Sequence, residues 1–381
     1  MTTRICPIPR SRPAGALVAL LAAALTLQSC HTGSADTRAG ANAPGRPSWS
    51  HAVHGWPSSI VTDRRGLVVL SGGAAVTDLD GGGARRWTTR VDGLTGTDPA
   101  LSETHVVVAA ADRMVALDRG DGSVRWHVDV PGTVGALVTA EPVGTGPVGA
   151  RSTVVNSTFD GFLEGRSPAD GSVRWRVHRA GEVRARLAMG DRGRVVVALW
   201  SGIDDSTVGA VDVASGRMVW EQRVAPYASA PAVTHGLVVL GAGDDNYRSE
   251  VRAFALRDGA PVWAAAVPAS FEPGIEPGVA GTDVVLVDHL GTATALDVRD
   301  GRVRWQRPLE RAVLVERPVI SDRFVVVTTA AREVVWLDRR SGRIIRRWEP
   351  GAVPAATASV RDRFVVALRQ TQPGRLEAYP L

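Results

Sequence analysis

The pattern Gly-x-x-x-Trp recurs through most of the chain and limits the possible folds more than any other feature. An apolar segment that usually ends in Asp precedes the glycine, as in Ala116-Leu-Asp118. This order predicts a strand, a tight turn, and a second strand that carries the tryptophan at a fixed depth. The six copies begin at Gly83, Gly122, Gly171, Gly216, Gly259 and Gly301.

A second repeat consists of short aliphatic runs that are typical of buried strands. The runs begin at Leu67, Val106, Val154, Val195, Leu237, Val284, Phe324 and Phe364. Their spacing of about 42 residues is typical of β-propeller blades built from four short strands each. A single blade cannot bury both of its faces, so the repeats must pack side by side around a central channel. We therefore predict an all-β chain.

The two ends of the repeat region indicate how the ring closes. The last repeat, from Arg363 to Leu381, supplies inner strands but no outer tryptophan strand. The segment Trp49-Ser-His-Ala-Val53 resembles the missing strand, because valine follows tryptophan by four residues as in Trp87 to Val91. We predict an eight-bladed β-propeller with four-stranded antiparallel blades, closed by the N-terminal strand so that no edge stays open. Seven blades is the alternative if Trp49 belongs to a linker.

The repeated tryptophans are interpreted as structural residues that dock one blade against the next, because a tryptophan buries a large area. A ligand-binding cradle would need them on one surface, whereas a radial array directs them apart. One blade departs from the pattern, since Arg346 stands at the tryptophan position after Gly342. Either Trp348 replaces it or that blade packs differently. The predicted docking residues are Trp49, Trp87, Trp126, Trp175, Trp220, Trp263, Trp305 and Trp348.

The N-terminal region is predicted to direct export and lipid attachment. Three arginines precede a mostly apolar run from Ala14 to Leu27, which is typical of a signal peptide and too short for a stable membrane span. The sequence Leu27-Gln-Ser-Cys30 fits a bacterial lipobox, with cleavage before Cys30 and diacylglyceryl attachment to it. The alternative is an ordinary secretory signal. We predict a signal peptide at 1–29, a flexible tether at 30–46 and a propeller at 47–381.

Composition excludes several classes of protein. Lysine is absent, so all 44 basic residues are arginines, and removing residues 1–29 lowers the formal net charge from +5 to +2. No basic block or aromatic-interleaved basic patch occurs along the chain, which argues against nucleic-acid binding. The second cysteine, Cys6, lies in the predicted signal peptide, so the mature chain has no disulfide. The dispersed histidines predict no metal site; the acidic pairs at Asp204 and Asp244 leave calcium as an alternative.

Residues that precede proline are predicted to mark the starts of the innermost strands. Proline suits the first position of an edge strand because it lacks a backbone donor. Since innermost strands line the channel, the polar residues before these prolines are candidates for a binding ring at one channel mouth. The alternative is that they only solvate a water-filled channel. The candidate ring residues are Trp56, Asp98, Glu141, Glu276 and Arg317.

The repeat Ala-Leu-Asp-x-x-x-Gly-x-x-x-Trp resembles the pyrrolo-quinoline quinone (PQQ)-type β-propeller repeat, from Trp49 to the C-terminus. That repeat occurs in quinoprotein alcohol dehydrogenases and in BamB-like outer-membrane assembly lipoproteins. The quinoprotein dehydrogenases that the repeat resembles carry long insertions, commonly a vicinal disulfide beside the cofactor, and calcium ligands together with a catalytic aspartate. This chain is compact and lacks the cysteine pair, so no catalytic residue is carried over.

Three functions follow from the resemblance. We expect a non-catalytic, membrane-tethered β-propeller that acts as a protein-binding scaffold on the extracytoplasmic face of the cell membrane. Its expected partner is an unidentified extracytoplasmic or membrane protein, and the chain is expected to be a monomer without a cofactor or metal. The alternatives are a PQQ- and calcium-dependent quinoprotein dehydrogenase, in which Trp56 could stack on the quinone, and a sensor of a small ligand or cell-wall polymer. Whether the chain is an enzyme stays open.

Overall fold

The protein folds into eight antiparallel sheets arranged as the blades of a β-propeller, which confirms the predicted fold. A computed structural model describes residues 44–381 except 131, 133, 141–151, 184–185, 245–248, 268–275, 289, 310–316, 330–331 and 370–372. Cys30, the predicted signal peptide and Glu141 lie outside these residues. Ala39–Leu381 forms one compact unit that contains every described strand. Within the described residues, no helix is long and apolar enough to cross a membrane.

The first four blades follow one another along the chain, each from an innermost to an outermost strand. Blade 1 contains β2 (Pro57–Thr62), β3 (Gly66–Ser71), β4 (Ala75–Asp80) and β5 (Arg85–Arg90). Blade 2 contains β6 (Ala100–Leu101), β7 (His105–Ala110), β8 (Arg113–Asp118) and β9 (Val124–Asp129). Blade 3 contains β10 (Val134–Ala140), β11 (Thr153–Thr158), β12 (Phe162–Arg166) and β13 (Val173–His178). Blade 4 contains β14 (Ala188–Gly190), β15 (Val195–Ser201), β16 (Ser206–Asp212) and β17 (Met218–Val224), with a 3₁₀ turn at Asp191–Gly193.

The next three blades keep this order, and blade 5 has a divided innermost strand. Blade 5 contains β18 (Tyr227–Ala228), β19 (Ala232–Thr234), β20 (Leu237–Gly243), β21 (Ser249–Ala255) and β22 (Pro261–Ala266). Blade 6 contains β23 (Gly278–Ala280), β24 (Asp283–Val287), β25 (Thr292–Asp297) and β26 (Val303–Pro308). Blade 7 contains β27 (Val319–Ile320), β28 (Phe324–Thr328), β29 (Val334–Asp338) and β30 (Ile344–Trp348).

Blade 8 combines both ends of the propeller. It contains β31 (Val353–Val360), β32 (Arg363–Arg369), β33 (Gly374–Pro380) and, as its outermost strand, β1 (Trp49–Val53). β1 pairs with β33 from Trp49 opposite Ala378 to Val53 opposite Gly374. The N-terminal strand therefore closes the ring as predicted, and the seven-blade alternative is wrong.

The hydrophobic core lies between the blades. In most blades the two middle strands are almost wholly buried, as in β3, whereas the outermost strand exposes many of its residues, as in β5. The buried residues form eight clusters, each of which joins two neighbouring blades. In one of them Val68 and Leu70 of blade 1 pack against Val106 and Val108 of blade 2. Stability is thus distributed around the ring in repeated interfaces.

The Gly-x-x-x-Trp pattern links neighbouring blades through one repeated contact. Trp126 of blade 2 is buried, and its Nε1 donates a hydrogen bond to the carbonyl of Pro168 in blade 3 at 2.8 Å. Its ring covers Gly171, where a Cβ atom would lie 2.9 Å from the ring. The structure places the same Nε1-to-carbonyl bond at Trp87, Trp175, Trp220, Trp263 and Trp305.

The two tryptophans beside the closing blade differ from the others. Trp49 covers Gly83 of blade 1, but its Nε1 has no hydrogen-bond partner within the described residues. In blade 7, Arg346 occupies the register position that tryptophan holds elsewhere, opposite Trp336. Trp348 is buried two residues later and meets Tyr379 of blade 8 edge-on at 4.9 Å between ring centroids. Blade 7 therefore packs on its neighbour through an aromatic cluster.

Candidate functional site

The direction of the strands defines two faces of the propeller. The upper face carries the connections between the second and third strands of each blade, such as 72–74, and those leading to the next blade, such as 91–99. The lower face carries the connections between first and second strands, such as 63–65, and between third and fourth strands, such as 81–84. Each innermost strand begins at the upper face, since Pro57 pairs with Ser71 and Thr62 with Leu67.

One register position of the innermost strands collects charged residues at the upper end of the channel. Asp98 lies two residues before Ala100, which pairs with Val107 of the next strand. Arg186, Glu276 and Arg317 lie at the same register position in their blades. They precede by two residues Ala188, Gly278 and Val319, which pair with Val197, Val285 and Val326 of the next strand. We call the eight equivalent residues the channel ring; they are Ser59, Asp98, Ala136, Arg186, Ala230, Glu276, Arg317 and Ala356.

The charged members of the channel ring form one ion-pair network. Arg186 of blade 4 pairs with Asp98 of blade 2, and its Nε lies 2.9 Å from Glu276 Oε2 of blade 6. Blades 2 and 6 face each other in an eight-membered ring, so Arg186 bridges opposite sides of the channel. Arg317 Nε lies 3.7 Å from Glu276 Oε2, and the Ser59 hydroxyl hydrogen-bonds to Asp98. Two positive and two negative charges therefore balance across the channel.

The surroundings affect the two arginines differently. Burial lowers the pKa of Arg186, but Asp98 and Glu276 outweigh this effect and raise the pKa above its ordinary value. Burial, followed by the neighbouring charge of Arg186, lowers the pKa of Arg317. Both groups stay protonated near neutral pH because a guanidinium titrates far above it. The two arginines are therefore fixed positive charges in this network.

The channel ring closes a cavity of about 620 Å³. Seven of the eight ring residues line it, together with small residues of β2, β10 and β31 such as Thr62, Gly135 and Ser359. No aromatic side chain is among the described residues that line the cavity. A planar quinone is held by stacking as well as by charge, so this lining does not fit PQQ.

The structure separates the sequence-predicted ring residues. It brings Asp98, Glu276 and Arg317 together, whereas Trp56 does not line the cavity. Trp56 lies three residues before Ser59, the true equivalent of Asp98, because β2 is longer than most other innermost strands and has a bulge between Pro57 and Ser59. The ring of Trp56 is instead exposed on the upper face beside Arg369, whose guanidinium is 5.9 Å from the ring centroid.

Sequence reasoning missed Arg186, the residue that joins the network. Leu187 follows it where the other charged positions are followed by proline, so the residue-before-proline rule passed over it. The distance to the aliphatic run could have found it. Asp98, Glu276 and Arg317 each lie eight residues before the second residue of the following strand, which is β7, β24 or β28. Arg186 lies ten residues before the second residue of β15, because the 3₁₀ turn at Asp191–Gly193 lies between Arg186 and that strand.

The upper face also carries large exposed apolar side chains. Ile203 is 96% exposed and Leu290 67% exposed, each in the connection between the second and third strands of its blade. Phe159 occupies the corresponding turn of blade 3, and Tyr227 lies beside the same end of β20 because it pairs with Gly243. With Trp56 they form a set that we call the apolar crown, namely Trp56, Phe159, Ile203, Tyr227 and Leu290.

The acidic loops do not form a metal centre in the described part of the chain. Asp204, Asp205 and Asp244 lie on the upper face, as the topology requires. No group of three or more potential ligands comes together among the described residues, which exclude Asp245 and Asn246. The expectation that the chain holds no metal stays a prediction.

Comparisons with known proteins agree with this architecture. The family model described as outer membrane protein assembly factor BamB matches residues 35–179 and 160–380. The BamB of Yersinia pestis is 25% identical over 325 residues, covering 78% of this chain and 76% of that protein. The BamB of Moranella endobia is 22% identical over 272 residues, covering 66% of this chain and 64% of that protein.

Two further similarities differ in what they cover. The crystal structure of BamB from Moraxella catarrhalis superposes with a TM-score of 0.70 at 17% identity, over 88% of this chain and 97% of that one, which shows the fold alone. The serine/threonine-protein kinase AfsK of Streptomyces griseus is 29% identical over 185 residues, but the match spans 45% of this chain and only 21% of the kinase. Since the family model spans nearly the whole propeller, the chain belongs to the family of BamB-like β-propellers with PQQ-type repeats.

Proposed function

We propose that the protein is a non-catalytic scaffold, tethered to the extracytoplasmic face of the cell membrane through Cys30, that binds another extracytoplasmic or membrane protein with its upper face. The observation that carries the proposal is the apolar crown around the channel ring. Large apolar residues that stand exposed around one surface are typical of protein-binding sites. The similarity to proteins named outer membrane protein assembly factors supports a role in membrane protein assembly.

The upper face offers polar as well as apolar contacts. Most charges of the channel ring are already paired with one another, so the ring would position a partner without leaving an isolated buried charge. Ile203 and Leu290 lie in loops with few neighbours, where their side chains can enter grooves of a partner. Aromatic residues such as Tyr227 are enriched in interfaces because they combine apolar area with a polar group.

The experiment that tests this proposal compares two pairs of substitutions. The first pair, Ile203→Ser and Leu290→Ser, removes apolar contacts from the upper face. The matched control, Val124→Ser and Val303→Ser, removes exposed valines from outer strands, where they are 54% and 40% exposed. The tagged proteins are purified from solubilised membranes, the captured partner is identified, and its affinity is then measured with purified components.

We expect the first pair to weaken binding at least about tenfold, since residues at the centre of an interface commonly contribute more than 1 kcal/mol each. The control pair is expected to bind as the unmodified protein does. Equal affinity of both pairs would contradict the proposal, provided that circular dichroism shows both folds to be intact. Alanine substitution of Asp98, Glu276 and Arg317 tests whether the channel ring contributes; unchanged binding by the folded variant would limit the ring to a structural role.

A small-ligand sensor is the second candidate, and the cavity favours it. Its volume of about 620 Å³ lies in the range of small-molecule sites. Among the described residues Arg317 is the ring cation with a single, long ion pair, so an anionic ligand is the best fit. A thermal-shift screen of small carboxylates, repeated with Arg317→Gln, distinguishes this function from scaffolding. Stabilisation that disappears in the variant would support the sensor, and no stabilisation would remove it.

A further inference from the structure

The connections of the lower face are rich in arginine. The described residues of these connections contain fourteen arginines and nine carboxylates. The arginines are Arg64, Arg65, Arg119, Arg192, Arg194, Arg217, Arg257, Arg299, Arg302, Arg323, Arg339, Arg340, Arg343 and Arg361. The carboxylates are those of Asp63, Glu103, Asp121, Asp170, Asp191, Asp258, Asp300, Asp322 and Asp362.

The connections of the upper face have the opposite balance. Their described residues contain four arginines and twelve carboxylates. The arginines are Arg179, Arg186, Arg317 and Arg332. The carboxylates are those of Asp92, Asp98, Asp112, Asp160, Glu182, Asp204, Asp205, Asp244, Glu276, Asp288, Glu333 and Glu349. The described connections of the two faces thus differ in charge: those of the lower face are basic and those of the upper face are acidic.

Many of the lower-face arginines are available to an outside anion. Arg119 and Arg339 are occupied by ion pairs with blades 1 and 6. In contrast, nine exposed arginines of these connections form no ion pair within the described residues. Four of them, on blades close to blade 8, are called the basic patch here; they are Arg64, Arg302, Arg340 and Arg343. They lie on blades 1, 6 and 7, on both sides of closing blade 8.

The aspartates that end the third strands do not cancel the basic patch. They point into their own turns, where backbone amides and neighbouring arginines engage them. Asp80 accepts hydrogen bonds from the amides of Gly82 and Ala84. Asp118 pairs with Arg125, which with the turn amides lowers the pKa of Asp118.

The N-terminal segment joins the propeller at this same face. Trp49 begins β1 at the lower end of blade 8, where the amide of Ser48 donates a hydrogen bond to the carbonyl of Ala378 at 2.7 Å. The predicted lipid-modified Cys30 precedes Ser48 by only 18 residues. The flexible tether predicted from the sequence would have a root-mean-square span of about 25 Å at that length. An anchor at Cys30 would therefore hold the lower face close to the bilayer.

We propose that the lower face rests on anionic phospholipid headgroups through the basic patch. The arginines attract the negative membrane surface, while the acidic upper face is repelled by it, so one orientation is favoured. The apolar crown then points away from the membrane and toward partners. This inference extends the proposed tether, but the surface contact does not require the lipid, so the two can fail separately.

The test uses vesicles and a chain without the anchor. A protein starting at Ala39 contains the whole compact unit, and flotation measures its binding to vesicles of phosphatidylglycerol mixed with phosphatidylcholine or of phosphatidylcholine alone. One variant carries Gln at the four basic-patch positions. The matched control carries Gln at four arginines on the upper face or the upper ends of outer strands, namely Arg90, Arg179, Arg223 and Arg332.

Each arginine near an anionic surface strengthens binding by about fivefold, so the basic-patch variant should bind at least about tenfold more weakly. We expect the unmodified chain to bind only the vesicles that contain phosphatidylglycerol and to dissociate from them as salt screens the charges. The control variant should bind these vesicles at least as well as the unmodified chain. No preference for phosphatidylglycerol vesicles would overturn the proposal. Equal losses in the two variants would also overturn it, because the effect would then reflect total charge.

Discussion

The contact between a tryptophan and the glycine of the next blade can be measured with two glycines that share the same positive φ. Gly171 and Gly351 both have a φ of 73°. A Cβ atom at Gly171 would lie 2.9 Å from the ring of Trp126 and 2.8 Å from Val128 Cγ1. A Cβ atom at Gly351 would meet no heavy atom within 4 Å. The pair therefore separates the effect of the contact from that of the backbone.

The expected magnitudes follow from these two environments. Alanine in the left-handed region costs about 1–2 kcal/mol, and this cost applies to both Gly171→Ala and Gly351→Ala. Overpacking against a fixed ring adds about 1–3 kcal/mol, and this cost applies only at Gly171. Gly171→Ala should thus lower the free energy of unfolding by about 2–5 kcal/mol and Gly351→Ala by about 1–2 kcal/mol.

Equilibrium unfolding in urea, followed by circular dichroism and tryptophan fluorescence, measures the difference. Both variants should keep the slope of the unmodified protein, and only the midpoint should move, further for Gly171→Ala. Equal midpoints for the two variants would refute the reasoning. The glycine would then be required for its backbone conformation alone, and the tryptophan contact would contribute nothing to the fit between blades.

Two further predictions concern charges between and within blades. Arg119→Met should destabilise the protein by about 3 kcal/mol, because fully buried Asp78 loses a partner 3.2 Å away and keeps Arg86 as its one ion-pair partner among the described residues. Exposed Arg340→Met is the control, and equal unfolding midpoints of the two variants would contradict this prediction. Hydrogen bonds from Arg299 and Arg304 hold the pKa of Asp297 well below its usual range. Because its pKa is lowered in the folded state, Asp297 stabilises the fold above about pH 4, and this stabilisation is lost as the pH falls further. Asp297→Asn should therefore reduce the loss of stability in acid, and identical pH profiles would contradict this.

The sequence predicted the propeller because its determinants are local and repeated. Each blade needs its own turn glycine and, in most blades, its own docking tryptophan, so the same short pattern recurs along the chain. Trp49 could be assigned to the last blade for the same reason, since valine follows it at the usual distance. Where a blade uses another solution, as at Arg346 and Trp348, the pattern showed the exception but could not show the aromatic cluster that replaces it.

The site was harder to predict because it depends on register across distant blades. Proline marked Asp98, Glu276 and Arg317 correctly, but it also marked Trp56, which the bulge in β2 displaces from the ring. Arg186 lacks the proline and was missed. A one-residue change in register moves a side chain to the other side of a strand, so a dipeptide alone cannot fix the position.

The division of charge between the faces is also hidden in the linear sequence. Lower-face arginines such as Arg64, Arg302 and Arg340 stand in separate turns of different blades, so no basic block forms along the chain. Only the topology brings alternate connections to one face. A search for runs of like charge therefore finds nothing, although the folded surface is polarised.

The most direct test of the scaffold role is a site-specific crosslinking scan in intact cells. A photoreactive amino acid is placed at Ile203 and Leu290 on the upper face, at Val303 on an outer strand, and at Arg340 on the lower face. We predict crosslinks to one distinct protein from the two upper-face positions and none from Val303 or Arg340. Crosslinks to that protein from Val303 or Arg340 alone, with Ile203 and Leu290 silent, would contradict the account.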